Sequence, residues 1–318
     1  MRYKHNIYEV VLAAVGGLAV TLWITLPAFA SGPGTSGGQF LRVGVGARAA
    51  GMGGAFSSLA DDASAIYWNP SGLAQLSQKE VSLSYNAYFV DTSAQFLGYA
   101  QPLAGGVFGV SVNMLSVKDI GKRSAGAGDA DTPDQGTFKT SDLAGTLAYA
   151  RKIDDFSMGV GLKYISSDLG SSNYGTASAN AFALDLGALY SINENIQASL
   201  AVLNVGTKLK YISESDPLPL NIKPGVAWKG DVGFGKLNAV LDADLLVSDG
   251  INYVQPGLEY WPVEMLAIRA GYQFGRDSSA GGLGAGLGFR HSNLSVDYAF
   301  VPFGDLGDTH RVSLGLRF

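Results

Sequence analysis

From about residue 80 to the C-terminus, apolar and polar positions alternate with period two in segments of about ten to fifteen residues, each bounded by Gly, Pro, Asn, Asp or Ser. The last three segments are the clearest. Leu294, Val296, Tyr298 and Phe300 form one row, opposed by Ser295, Asp297 and Ala299. Leu283, Ala285, Leu287 and Phe289 alternate with Gly282, Gly284, Gly286 and Gly288 before Arg290. Val312, Leu314, Leu316 and Phe318 alternate with Arg311, Ser313, Gly315 and Arg317. Period two puts each set on one face of a strand. The chain yields approximately fourteen such strands, an even number as single-chain membrane barrels have. They are predicted to start near Val81, Ala94, Val107, Lys139, Phe156, Thr176, Asn195, Leu220, Phe234, Ile251, Met265, Ala280, Asn293 and Thr309.

A soluble sandwich also alternates, so the charges decide. Asp142, Lys163, Asp185, Asp242, Asp244, Glu259, Arg269, Arg290, Asp297, Arg311 and Arg317 all fall on the polar faces, a mixed-sign set. The opposite faces are Leu, Val, Ala, Phe and Tyr, which is what lipid contact demands of a transmembrane antiparallel β-barrel. Glycines on the inner face leave room for a segment inside the lumen. The connections agree in tendency: those at residues 102–106, 153–155, 193–194, 230–233, 261–264 and 292 are short, whereas the alternate set holds the longest, 120–138, 168–175 and 208–219, along with two short ones, 91–93 and 248–250. Short turns face the periplasm in outer-membrane barrels, which places both ends of the mature chain on that side. The loop at residues 121–136 reads as an extracellular one.

The N-terminus behaves differently. Arg2 and Lys4 precede an apolar run from Val10 to Leu26, then Ala28, Phe29, Ala30 and polar Ser31. That order marks a secretory signal peptide, residues 1–30, with an Ala-x-Ala cleavage site. Composition then narrows the rest: 43 glycines, 15% charged residues and no cysteine. The low charge argues against a soluble secreted domain, and the absence of thiols removes disulfides and thiolate metal sites. A formal net charge of −5 gives no basic footprint for nucleic acid.

Residues 31–79 carry no sustained period-two pattern and are rich in glycine and apolar residues, with Tyr67 and Trp68 adjacent. Side chains alone do not fill a barrel of about fourteen strands. This segment is therefore expected to fold back as a luminal plug, followed by the barrel at 80–318. Locally, Ser57 to Ala65 suits a short helix or turn. Asn69 is placed to cap a second turn, Pro70 to occupy its first position, and Gly72 to end it.

The string GVGARAAGMGGAFSSLADDASAIYWNPSGLAQL resembles the N-terminal signature of PorV/PorQ-type outer-membrane proteins, within the wider FadL-like group of plugged barrels. The matching residues are Gly44, Gly46, Ala47, Arg48, Gly51, Met52, Gly53, Gly54, Ala55, Asp61, Asp62, Ala63, Tyr67, Asn69, Pro70, Gly72 and Leu73. The resemblance implies a plugged barrel of fourteen strands and two roles. FadL-like members hold hydrophobic small molecules in the barrel and release them past the N-terminal hatch. PorV-like members bind exported proteins in type IX secretion. A non-transporting structural barrel is the third reading. The hatch residues Arg48, Gly51, Gly53, Gly54, Asp61, Asp62, Tyr67, Trp68, Asn69, Pro70 and Gly72 are the candidates for ligand gating. Passage of a hydrophobic ligand is the leading expectation.

Among the candidates, turn and cap chemistry is the stronger reading of Asp61 and Asp62, ahead of a latch on the plug. Sign complementarity suggests that Arg42 and Arg48 neutralise luminal carboxylates such as Asp242 and Asp244. Catalysis lacks its usual parts. After the signal peptide the histidines are His291 and His310, predicted at opposite ends of the barrel, and no Ser sits in a Gly-x-Ser-x-Gly setting. No catalytic, metal or cofactor residue is assigned. Outer-membrane lipid and the barrel-assembly machinery are the expected partners, with Val312, Leu314, Leu316 and Phe318 as the terminal insertion signal.

Overall fold

The computed structural model describes residues 34–318 except 90, 104, 123–135, 173–174 and 276–281. The expected signal peptide and most of the 121–136 loop lie outside the described residues. Strands β1 (Glu80–Ala87), β2 (Thr92–Leu103), β3 (Gly106–Gly121), β4 (Thr137–Ile153), β5 (Phe156–Ser172), β6 (Gly175–Ser191) and β7 (Ile196–Gly206) follow one another antiparallel. A small hairpin, β8 (Leu209–Lys210) with β9 (Ser215–Asp216), leaves the wall. The wall resumes with β10 (Asn221–Val232), β11 (Gly235–Leu246), β12 (Ile251–Val263), β13 (Leu266–Tyr272), β14 (Leu283–His291), β15 (Leu294–Pro302) and β16 (Asp308–Arg317). β7 pairs directly with β10, and β1 pairs with β16 from Glu80↔Arg317 to Ala87↔His310. The result is a closed antiparallel barrel of fourteen strands with no free edge. Its strand starts match the periodicity throughout, except that Ala280 falls outside the described residues and β14 is described from Leu283.

The predicted faces hold as well. Leu294, Tyr298, Val312, Leu314, Leu316 and Phe318 are exposed on the outside, whereas Lys163, Asp185, Asp242, Glu259, Arg269 and Arg311 are buried on the inside. On β5 the exposed apolar row runs from Phe156 to Tyr164. At a rise of about 3.3 Å per residue and a tilt of about 40°, that row stands about 20 Å tall, close to the apolar band of outer-membrane barrels. β3 to β6 continue well past it, so one wall rises above the band at the end carrying the long connections, the loop end. The opposite, turn end holds the short connections, including residues 154–155, 233–234 and 292–293.

Candidate functional site

Described residues between 34 and 79 pack inside the barrel, and their path can be read from their partners. At the loop end, Gly37 N–H donates to the Pro217 carbonyl at 2.9 Å. Ser36 donates from its amide at 3.1 Å and from Oγ at 2.8 Å to Asp249. After a turn of 3-10 helix at Gln39–Arg42, Arg42 Nη1 reaches the same carboxylate at 3.4 Å. Phe40 and Leu41 pack with Leu209 and Leu218 of the loop that carries the β8–β9 hairpin. A short helix, Ala47–Gly51, then lies against β13, β14 and β15. At the turn end, Ala63 N–H donates to Glu80 Oε1 at 3.1 Å, and Arg317 Nη2 to the Asp61 carbonyl at 3.4 Å. The chain returns through Ala65–Trp68 and the 3-10 helix Pro70–Gln75 before entering β1. Sequence reasoning put both ends of the mature chain on the turn side. The first described residues instead lie at the loop end, because the fully buried Asp249 carboxylate takes its donors from Ser36 and Arg42.

Arg48 is the most connected of the predicted residues. Its Nε and Nη2 donate to Glu259 on β12 at 2.7 and 2.8 Å, a two-point fork. Its Nη1 pairs with Asp61 and approaches Asp62 at 3.4 Å. Glu259 is shared with Arg269, which continues to Asp297 at 2.7 Å. The sign argument for Arg42 and Arg48 holds, but their expected partners do not. Asp242 accepts from Ser57 N and from the hydroxyls of Ser57 and Ser58. Asp244 pairs with Lys223. Those two carboxylates sit on β11 and are satisfied before either arginine reaches them. Asp61 and Asp62 divide the two expected roles. Asp62 Oδ1 accepts from Ser64 N at 2.9 Å, which is turn chemistry, while Asp61 is bound to the arginine. Burial raises the Asp62 carboxyl above its usual range, with Arg48 pulling it down and Asp61 pushing it up. Burial also opposes ionisation of Asp61, but Arg48 and Lys229 together outweigh it and hold that carboxyl below its usual range.

The other candidates are packed into the same interior. Tyr67 donates from its hydroxyl to the Leu41 carbonyl at 2.9 Å, and burial pushes its phenol upward, so it acts as a neutral donor. Trp68 Nε1 donates to Val45 O at 3.1 Å, and its ring lies 5.3 Å from Lys223 Nζ. Asn69 Oδ1 accepts from Ser71 N at 3.2 Å with Pro70 next in the chain, the predicted cap. Gly72 does not end that turn, which runs on to Gln75. A Cβ at Gly72 would run into the Ala60 carbonyl, so the glycine serves close approach. Gly53 has φ 66°, and a side chain there would meet Tyr272 N at 2.5 Å. Gly51 and Gly54 lie beside Gly286 and Gln255 respectively. The wall is complementary: at Gly271 and Gly284 an added Cβ would overlap the backbone of Met52 and Ala50, and at Gly159 that of Pro70. The inner-face glycines do leave the room that the alternation pattern suggested.

Between this packed segment and the loop end lies a cavity of about 500 Å³. Tyr67, Trp68 and Val43 line it from the segment; Tyr88, Phe89 and Phe303 from hairpin tips; Leu203, Leu246, Tyr253, Leu283 and Val301 from the wall. Its charged lining residues are Arg42, Lys223, Asp244 and Arg311. Sequence reasoning did not nominate Tyr88, Phe89, Phe303 or Lys223. Aromatic residues beside the β1–β2 and β15–β16 turns were the available signal.

Solved structures with a similar fold include the Pseudomonas putida toluene transporter TodX, at 13% identity and a TM-score of 0.59, covering 86% of this chain and 96% of that one. A Pseudomonas aeruginosa FadL homologue gives 14% identity and a TM-score of 0.54, covering 86% and 98%. These likenesses establish the fold. Among curated proteins, a UPF0164 protein of Treponema pallidum (strain Nichols) is 28% identical over 177 residues, 52% of this chain and 43% of its own length. The match thus spans under half of that relative. The sequence model for type IX secretion system protein PorV matches residues 33–240, more than half of the chain, and this chain belongs to the PorV family of outer-membrane barrels.

Proposed function

We propose that the protein binds hydrophobic small molecules at the loop end of its lumen and passes them inward, with residues 31–79 acting as plug and hatch. One observation carries this reading: a cavity of about 500 Å³, of the size that small-molecule sites have, lined by aromatic and aliphatic side chains together with polar ones, beside the segment packed in the lumen. The fold it shares with a toluene transporter and a FadL homologue is consistent with that use. In this reading the loop end faces outward, as the short turns of outer-membrane barrels face the periplasm. The test is toluene binding by the full chain in lipid nanodiscs, followed as quenching of tryptophan fluorescence, for wild type and for Val301→Trp, which fills the cavity from β15. Saturable binding lost in the variant supports the proposal. Binding absent from wild type, or unchanged on filling, ends it.

The family match favours a second reading, in which the barrel serves protein export as an accessory of type IX secretion. Deletion of the gene separates the two. Loss of surface-displayed exported proteins with unchanged uptake of hydrophobic compounds would support export, and the reverse would support transport. In both readings β16 serves as the signal read by the assembly machinery, with Leu314, Leu316 and Phe318 turned toward lipid.

A further inference from the structure

Resting on the reading that the cavity takes a ligand, we infer that the cavity is selective for aromatic carboxylates, with Arg311 as the residue that holds the anionic group. Arg42 is matched to Asp249 and Lys223 to Asp244. Arg311 is 7% exposed, lines the cavity and has no carboxylate partner among the described residues. Its Nη1 donates to the Gly44 carbonyl at 3.2 Å, and its Nε has no hydrogen-bond partner. Asn86, directly across from it on β1, brings a neutral amide and no counter-charge. A guanidinium keeps its charge at any accessible pH, and burying one without an anion is costly. The Tyr88 ring, 5.2 Å away, offsets only part of that cost. The remaining donors of the fork match a planar carboxylate.

The surroundings select the body of the ligand. Tyr88, Phe89 and Phe303 meet edge to face, with centroids 5.7 to 6.2 Å apart, beside the guanidinium. Trp68 and Tyr67, at 5.1 Å, form a second such pair, contributed by the N-terminal segment. Ring edges and faces of this kind suit a flat aryl group, while the unmatched cation favours an acid over a neutral hydrocarbon. The site therefore differs from one that takes hydrocarbons alone.

The experiment compares 3-phenylpropanoate with 3-phenylpropanol at pH 7, bound to the full chain in nanodiscs of zwitterionic lipid. One charge-assisted contact predicts that wild type binds the acid about tenfold more tightly than the alcohol. Arg311→Met should remove that preference while leaving alcohol affinity in place, and Arg311→Lys should retain part of it. Retained alcohol binding certifies that a variant is folded, and Arg311→Lys serves if Arg311→Met is not. Equal affinity of wild type for acid and alcohol, or a preference that survives loss of the charge, overturns the inference and leaves cavity binding intact. Binding of neither probe overturns the cavity reading, and this inference with it.

Discussion

Replacing Arg48 by methionine should loosen the N-terminal segment without opening the wall. The guanidinium is almost fully buried and forks onto Glu259, which is fully buried, while its third nitrogen holds Asp61. Breaking a buried pair costs about 3–5 kcal/mol; here Arg269 stays on Glu259, and Asp61 is the carboxylate left without its cation. The cost has a ceiling, because the stranded carboxylate can take up a proton. Doing so at pH 7 from an ordinary value near 4 costs about 4 kcal/mol. A loss of about 3–4 kcal/mol corresponds to protection factors lower by roughly 100- to 1,000-fold. Hydrogen exchange of the full chain in nanodiscs reads this directly: amides of residues 47–60 should lose that protection, while β3 to β6 keep theirs. The pH dependence adds a second check. Asp61 is held below its usual range in the native protein, so its contribution is present above the unfolded value and fades as pH falls. In Arg48→Met the cation is gone and protonation relieves the strain, so the deficit should be largest at pH 7 and shrink toward pH 4. Unchanged protection at residues 47–60, or a deficit that grows on acidification, would refute the assignment of Arg48 as the tie between segment and wall.

Gly271→Val places a side chain where Met52 and Gly53 now run; overpacking of this kind costs about 1–3 kcal/mol or more, and the segment should be displaced, seen as raised single-channel conductance in planar bilayers. Asp249→Asn weakens the hold on Ser36 and Arg42. A cysteine at Thr35 should then react faster with a water-soluble maleimide than it does beside Asp249. Phe318→Ser removes the outward-facing side chain that directly follows β16, which is 56% exposed. Less heat-modifiable barrel should reach the outer membrane, and a normal amount would count against a terminal signal there.

The wall was legible because lipid on one side and a polar lumen on the other impose period two on every strand. β16 shows this most plainly, since each outward residue from Val312 to Phe318 had to be apolar whatever its neighbours were. The glycines of β14 were legible for a related reason: an inner face without side chains must border something close. The partners of Arg48 were not legible. Glu259 and Asp242 stand on neighbouring strands and carry the same sign, so the choice rests on register and on the path of the segment. Neither leaves a trace in the alternation. The reach of Ser36 to the loop end was hidden for the same reason, because its acceptor, Asp249, lies in a connection that reads only as a short turn. The β8–β9 hairpin is too brief to show a period at all.

The two halves of the interior are built differently, and this bears on how anything gets through. Between Ala47 and Gln75 the segment is fitted into the wall, its own Gly53 and Gly72 allowing approaches that Gly271, Gly284 and Gly159 allow from the other side. Contact of backbone with backbone gives no room for sliding, because each groove admits one register only. The stretch from Ser36 to Val43 is held instead by the Asp249 cluster, by Gly37 on the Pro217 carbonyl, by Arg42 on the Tyr253 hydroxyl and by Phe40 and Leu41 packed on a loop. It lacks the backbone-to-backbone fit of the other half, and less tightly packed elements open first. Gln39, Leu41, Arg42 and Val43 line the cavity, so release of this stretch would widen it toward the loop end. In the proposed transport role, entry would then depend on the ion pair at Asp249 and passage on the one at Glu259, and Asp249→Asn should alter the first without the second.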